Sequence, residues 1–177
     1  PLPLLRPTDR RVSYAQNTEV PADRSRSEIE RTLSRYGARQ FMYATSADPP
    51  QAVVAFVVPV NRTGDEVVVR QVRFTIPLPD LHDDRFAMTP GGRRRRSAAQ
   101  MFAEYEKATR RIWRALLLVI KAKLEAVESG ISEFEEEFLA HIVLPDGRTV
   151  GEFIRPEVAI AYETKKMPPL ALPSGKK

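Results

Sequence analysis

The sequence predicts an α+β domain, and three observations carry that prediction. Short segments rich in valine and phenylalanine, separated by turn residues, occupy the first half. An amphipathic stretch of about 33 residues follows, roughly 50 Å long if it forms one helix at 1.5 Å per residue. Strands are gathered in one block and helices mostly in another, the order of an α+β rather than an α/β chain. A hydrophobic content of 42% over 177 residues is enough for one core, and the length is too short for two full domains. The expected organisation is an extended arm over residues 1–22, a single domain over 23–166 and a flexible tail over 167–177.

Residues 1–22 contain four prolines and no sustained periodicity, which predicts an arm anchored through Val12 and Tyr14. Ser25 and Glu28 have the spacing of a capping box. Ile29, Leu33 and Tyr36 follow at helical intervals and Gly37 supplies a stop, so a short helix is expected over 25–36. Arg39–Thr45, Ala52–Val60 and Glu66–Ile76 read as strands. Their connectors, Asp48-Pro49-Pro50 and Asn61-Arg62-Thr63-Gly64-Asp65, are short and turn-like, which favours an antiparallel meander. Asn61-Arg62-Thr63 also matches the glycosylation pattern, but without secretory context it reads as part of that turn. Val53–Val58 lacks alternation, as a strand covered on both faces does, and Pro59 places the end of the run at an edge or a bulge.

Pro77-Leu78-Pro79-Asp80 opens a loop that ends in Gly91-Gly92-Arg93-Arg94-Arg95-Arg96 and is expected to be mobile. The long helix spans 97–129 and stops at Gly130. Ser132 and Glu135 form a second capping-box spacing, with Phe134, Phe138 and Leu139 on its buried side. Pro145-Asp146-Gly147 is a turn, and Thr149 with Glu152 starts a last helix that Pro156 interrupts or restarts.

Charge is distributed unevenly. Residues 1–84 carry eleven basic and eleven acidic side chains, residues 85–123 eleven against two, and residues 124–177 six against ten. A local cationic excess favours phosphate backbones or anionic surfaces. The absence of cysteine excludes disulfides, thiolate nucleophiles and cysteine-based zinc sites, and fits a reducing cytoplasm. The longest strongly apolar run, Ala115–Ile120, is far short of the ~18–20 residues that span a bilayer, and no signal core opens the chain. The expectation is a cytoplasmic protein with no membrane partner.

Within the long helix, Lys107, Arg110, Arg111, Arg114 and Lys121 fall inside an arc of about 100°, with Phe102, Tyr105, Ile112, Leu116, Val119, Ile120 and Val127 clustered opposite. No acidic residue lies between Lys107 and Leu124. Apart from Glu106 four before Arg110 and Glu104 three before Lys107, these cations lack same-helix acidic partners and so attract polyanions, and the ~21 Å from Lys107 to Lys121 matches three or four phosphates of a single strand. The plainer alternative is a solvated face paired with Glu133, Glu135, Glu136 or Glu137. Arg93, Arg94, Arg95 and Arg96 have the composition of an arm that wraps a phosphate backbone. Arg70 and Arg73, an odd number apart on a strand, must point to opposite faces. Phe41, Tyr43 and Trp113 are the candidates for stacking on bases, against a core-packing role for each. Lys123 projects from the apolar face, to snorkel or to pair with a buried acid.

Asp80, His82, Asp83 and Asp84 have the donor types that hold Mg²⁺ or Mn²⁺ for phosphodiester cleavage. All four sit on one proline-flanked loop, which is the pattern of turn chemistry. No catalytic residue and no cofactor are therefore expected, and His141, among apolar neighbours, reads as structural.

Arg35-Tyr36-Gly37-Ala38, Arg70-Gln71-Val72-Arg73-Phe74 with Pro77-Leu78-Pro79-Asp80, Trp113-Arg114-Ala115-Leu116, Ile120–Val127 and Phe138–Pro145 resemble a family of uncharacterised bacteriophage and prophage proteins, over about residues 12–170. The resemblance implies a phage or mobile-element origin and carries no activity with it. The expected topology, a short helix, a three-stranded meander and a long basic helix, is also similar to the core of single-strand annealing proteins, although no sequence motif of that class is present. Together these imply a phage-type protein that binds nucleic acid, single-stranded DNA above all, without catalysis, during replication or recombination. The alternatives are a phage interaction or inhibitor protein that docks an acidic host partner, and a metal-dependent nuclease. Leu117 and Leu118, straying toward the polar side, leave room for a homo-oligomer.

Overall fold

A computed structural model of the chain describes residues 15, 18–63, 66–89, 91–92 and 94–166. Helix α1 (Ala22–Arg35) leads into strands β1 (Gln40–Ala47), β2 (Pro50–Thr63) and β3 (Glu66–Pro77). Then come α2 (Asp84–Ala87), α3 (Ala98–Glu128), α4 (Phe134–Phe138), a 3₁₀ turn at Leu139–His141 and α5 (Val150–Thr164). The sheet order is β1-β2-β3 with both pairs antiparallel, the meander that short connectors favour. The α+β class and the long helix are as the sequence predicts. Most of the 1–22 arm, including Val12 and Tyr14, and all of the 167–177 tail lie outside the described residues.

Strand register sorts side chains onto two faces. Ala52, Val54, Phe56 and Val58 of β2 align with Phe41 of β1 and with Val72 and Phe74 of β3, and this face meets the helices. The other face carries Met42, Val53, Val57 and Val69, all half-buried or exposed. The helices cover one side of Val53–Val58, and on the other Ala55 is buried between its cross-strand neighbours Met42 and Arg73 while Val53 and Val57 are half-buried, so the lack of alternation reflects a central strand flanked on both edges. β2 also runs on to Thr63, so Asn61–Thr63 are strand rather than turn, paired with Val68, Val67 and Glu66. The register slips between Pro59 and Asn61, a bulge that lets a central strand tolerate a residue with no N–H to donate.

Helix α1 starts at Ala22, earlier than the Ser25–Glu28 spacing implies. Ser25 sits inside the helix with a fully buried side chain, and its hydroxyl has no partner among the described residues. Glu28 is turned toward α3 instead of back to a cap. Helix α3 is a single unbroken rod whose start is a true capping box: Ser97 accepts from the Gln100 N–H, and the Gln100 side chain accepts from the Ser97 N–H. Gly130, with φ at 70°, reverses the chain after it. Helix α4 is capped one residue later than predicted, by Glu133 with Glu136. Helix α5 starts at the expected Thr149–Glu152 box and runs through Pro156 uninterrupted.

The core lies between sheet and helices. Trp113, Leu116, Leu117, Ile120 and Leu124 of α3 are buried there, each contributing about 1.5–3 kcal/mol by leaving water. Phe138 of α4 meets Phe56 and Phe74 edge-on, with centroids 6.1 and 6.3 Å away. The chain after the 3₁₀ turn extends the sheet edge briefly, where the Val143 N–H donates to the Gln71 carbonyl at 2.8 Å.

His141 stacks on Phe74 at 4.0 Å between centroids, which fits the structural role read from its apolar neighbours. Burial first, and then the charge of Lys123, push its pKa below the ordinary 6.5. A histidine whose folded pKa lies below its unfolded value stabilises the fold fully above pH 6.5, and that contribution is lost as pH falls from 6.5 through the folded pKa. Thermal melts of the wild type and His141→Phe at about pH 7.5 and about pH 5.5 should therefore show the larger acid-induced drop in the wild type. Equal drops would contradict this account of His141.

Candidate nucleic-acid interface

The five basic residues predicted on α3 keep their common arc, but not its direction. The buried stripe Trp113, Leu116, Leu117, Ile120 and Leu124 is centred near Trp113, and at about 100° per residue Lys107, Arg110, Arg111, Arg114 and Lys121 lie about 60–160° around from that centre. They form a flank of the helix rather than the side opposite the core. Trp113, expected at the margin of the apolar face, and Leu117, expected toward the polar side, are 1% and 0% exposed, whereas Val119, expected inside, is 46% exposed.

That flank faces α1, the helix that packs most closely along α3. Arg24, Glu28, Arg31 and Arg35 of α1 follow at intervals of four, three and four residues, so they share one face of the helix. With Ser27, Thr32 and Lys121 they line a groove of about 530 Å³ between the two helices. The three arginines are exposed. In the middle of the groove Glu28 accepts a hydrogen bond from Arg114 at 3.0 Å through one carboxylate oxygen and from Lys121 through the other. The Lys121 hydrogen bond above all, helped by Arg114 and opposed by partial burial, holds the Glu28 carboxyl below its ordinary range. One carboxylate thus serves two cations, and the lining residues retain an excess of positive charge. Arg114 and Lys121 thus pair with α1 and not with the acids around α4 that the plainer alternative invokes.

Toward the start of α3 the same flank continues through Arg111, Arg110 and Lys107. Arg110 approaches Glu106 at 3.9 Å, Arg111 is half-buried with a partner of its own, and Lys107 has no ion pair among the described residues. The arginine run is placed elsewhere. Helix α2 lies against the other flank of α3, with Phe86 edge-on to Tyr105 at 6.0 Å, and the run is tied to α2. Met88 bridges to Arg95 across a turn in which Gly91 and Gly92 take φ of 90° and 69°. The Arg96 guanidinium donates to the carbonyls of Arg85, Phe86 and Met88, closing the end of α2. The loop predicted to be mobile is therefore pinned at both ends of the turn. Arg94 and Arg95 are exposed, Arg96 holds structure, and Arg93 lies outside the described residues.

The remaining candidates separate cleanly. Arg70 and Arg73 do point to opposite faces, where each meets a carboxylate: Glu135 at 3.1 Å and Glu152 at 2.7 Å. Lys123 pairs with Glu137 at 3.3 Å and donates to its carbonyl at 2.5 Å. Trp113 and Phe41 pack in or against the core, and only Tyr43 of the three stacking candidates is exposed, with the Arg26 guanidinium 5.3 Å from its ring. Asp83 caps α2 through the Arg85 N–H, and Asp80 accepts from the His82 N–H, which is the turn chemistry the loop predicts. Among the described residues no three His, Cys, Asp or Glu side chains are grouped to hold a metal ion, and no helix is long and apolar enough to cross a membrane.

The arginine row of α1 was missed in the sequence reading. Its signal, an arginine at 24, 31 and 35 on one helical face, was present, but Asp23, Glu28 and Glu30 among them balance the local charge count. Glu28 is the sharpest test of the groove. Replacing it by glutamine frees Arg114 and Lys121 for an incoming anion, and affinity for a polyanion at low salt should rise by roughly threefold to tenfold. Fluorescence anisotropy with a labelled oligonucleotide measures this, and an unchanged affinity would place the contact surface elsewhere.

Comparison of the chain with models of protein families, with curated proteins and with solved structures finds no match.

Proposed function

We propose that this protein binds nucleic acid without catalysis, single-stranded DNA in preference, through the paired basic flanks of α1 and α3, inside a bacterial cell during phage replication or recombination. The observation that carries the reading is the convergence of Arg24, Arg31 and Arg35 with Lys121 on one groove, from two helices that are distant in sequence, with Arg114 paired to the groove's Glu28. Helices in the same layer hold the charges on rigid backbone, at axial spacings of about 10 Å from Arg24 to Arg31 and about 6 Å from Arg31 to Arg35. A flexible phosphate backbone can follow such a row more readily than a flat acidic surface can. The phage setting rests on the sequence resemblance alone.

Here the basic surface is the outer face of the helical layer, not a cleft between helix and sheet, so the analogy with single-strand annealing proteins lends the reading no geometry. The experiment is an anisotropy titration of single- and double-stranded oligonucleotides across a salt series. Binding that weakens linearly in log-log form, tighter for the single strand, supports the proposal. Absence of binding at low salt, or salt-insensitive binding, removes it.

A further inference from the structure

The face of α3 that is core from Trp113 to Leu124 continues toward the helix start, but residues 98–112 include no buried side chain. Phe102, Tyr105, Thr109 and Arg110 on this inner face, with Ala22 and Asp23 at the beginning of α1, line a pocket of about 230 Å³. The rings of Phe102 and Tyr105 are 6.1 Å apart and tilted by 32°, and Phe102 is 50% exposed. Phe86 of α2 braces Tyr105 from behind. The Thr109 hydroxyl and the Arg110 Nε are shielded from solvent and have no hydrogen-bond partner among the described residues.

We infer that this pocket receives one unstacked nucleobase of the bound strand, with Phe102 as the stacking surface. The inference rests on the nucleic-acid reading of the α1–α3 surface, and Arg110 joins the pocket to that surface. An aromatic wall beside a guanidinium is the chemistry that takes a flat heteroaromatic ring. The partly exposed Arg110 side chain offers guanidinium N–H donors to the ring heteroatoms. Asp23 and Glu106 also line the pocket and, even paired with Arg26 and Arg110, disfavour a phosphate there, so the sugar-phosphate backbone stays on the cationic flank while the base enters. The volume suits a single ring system, being smaller than the ~300–1,000 Å³ of ordinary small-molecule sites.

The test compares Phe102→Ala and Phe102→Trp with the wild type, against a short oligodeoxycytidylate and an abasic strand of the same length. Phe102 is half-exposed, so the variants should fold, and thermal melts verify it. Phe102→Ala should bind the base-bearing strand about tenfold more weakly, bind the abasic strand as the wild type does, and keep the same salt slope. Phe102→Trp should restore the affinity. Equal affinity of Phe102→Ala and wild type for the base-bearing strand, or an equal loss for both strands, would overturn the pocket while leaving the basic surface standing. A wild type that binds neither strand would remove both.

Discussion

Replacing Arg24, Arg31 and Arg35 together by alanine should weaken single-stranded DNA binding on the order of 100-fold at low salt, and should flatten the log-log salt dependence by about 2. The three side chains are exposed and lie on the groove side of α1, away from its buried Ile29 and Leu33. Their removal deletes no core contact, and the fold should keep its melting temperature within the small range typical of surface substitutions. Each phosphate released contributes about 0.7 to the slope for a single strand, which is why three lost contacts are legible as a change of about 2. An affinity loss with an unchanged slope would mean that the arginines act through structure. No loss at all would mean that α1 is not part of the surface.

The second large effect is on stability. Leu117→Ala should cost about 2–5 kcal/mol, because Leu117 is fully buried beneath α3 and its removal leaves a cavity. Val119→Ala should change stability by no more than about 0.5 kcal/mol, since Val119 faces solvent. For a chain of this size the first amounts to a drop of roughly 5–15 °C in melting temperature, and the second is barely measurable. The pair also tests the site, because the rotation that buries Leu117 is the one that turns Arg114 and Lys121 toward Glu28. Comparable losses at the two positions would mean α3 is rotated about its axis, and the groove with α1 would not form.

Much of the fold was legible because the chain states it locally. The three strands carry β-branched and aromatic residues, their connectors are short, and Ser97 and Gly130 bracket α3 by their own chemistry. Position around α3 was not legible to the same degree. Phe102, Val119 and Trp113 are alike as hydrophobic residues, but the sheet and α1 cover only part of the rod, and which part is settled by tertiary packing. The Ser25–Glu28 spacing misled for a related reason. A serine and a glutamate three apart occur within helices as well as at their starts, and here one is drawn into the core and the other to two cations on α3.

The candidate site divides in the same way. A stripe on one helix is a sequence property, so the α3 cations were found. The matching row on α1 is also periodic, but its meaning depends on the two helices lying side by side, which 86 residues of separation between Glu28 and Arg114 conceal. The arginine run read as one feature from composition, whereas Arg96 is taken up by the carbonyls at the end of α2 and Arg94 and Arg95 are left exposed.

A 20.0 kDa chain is well suited to mapping amide shifts on titration with a single-stranded oligonucleotide. The account predicts that the perturbed amides form one contiguous patch along Arg24–Arg35 of α1 and Lys107–Lys121 of α3. Shifts confined to α5 or to the open sheet face around Met42, Val53 and Val57, or no shifts at all, would contradict it.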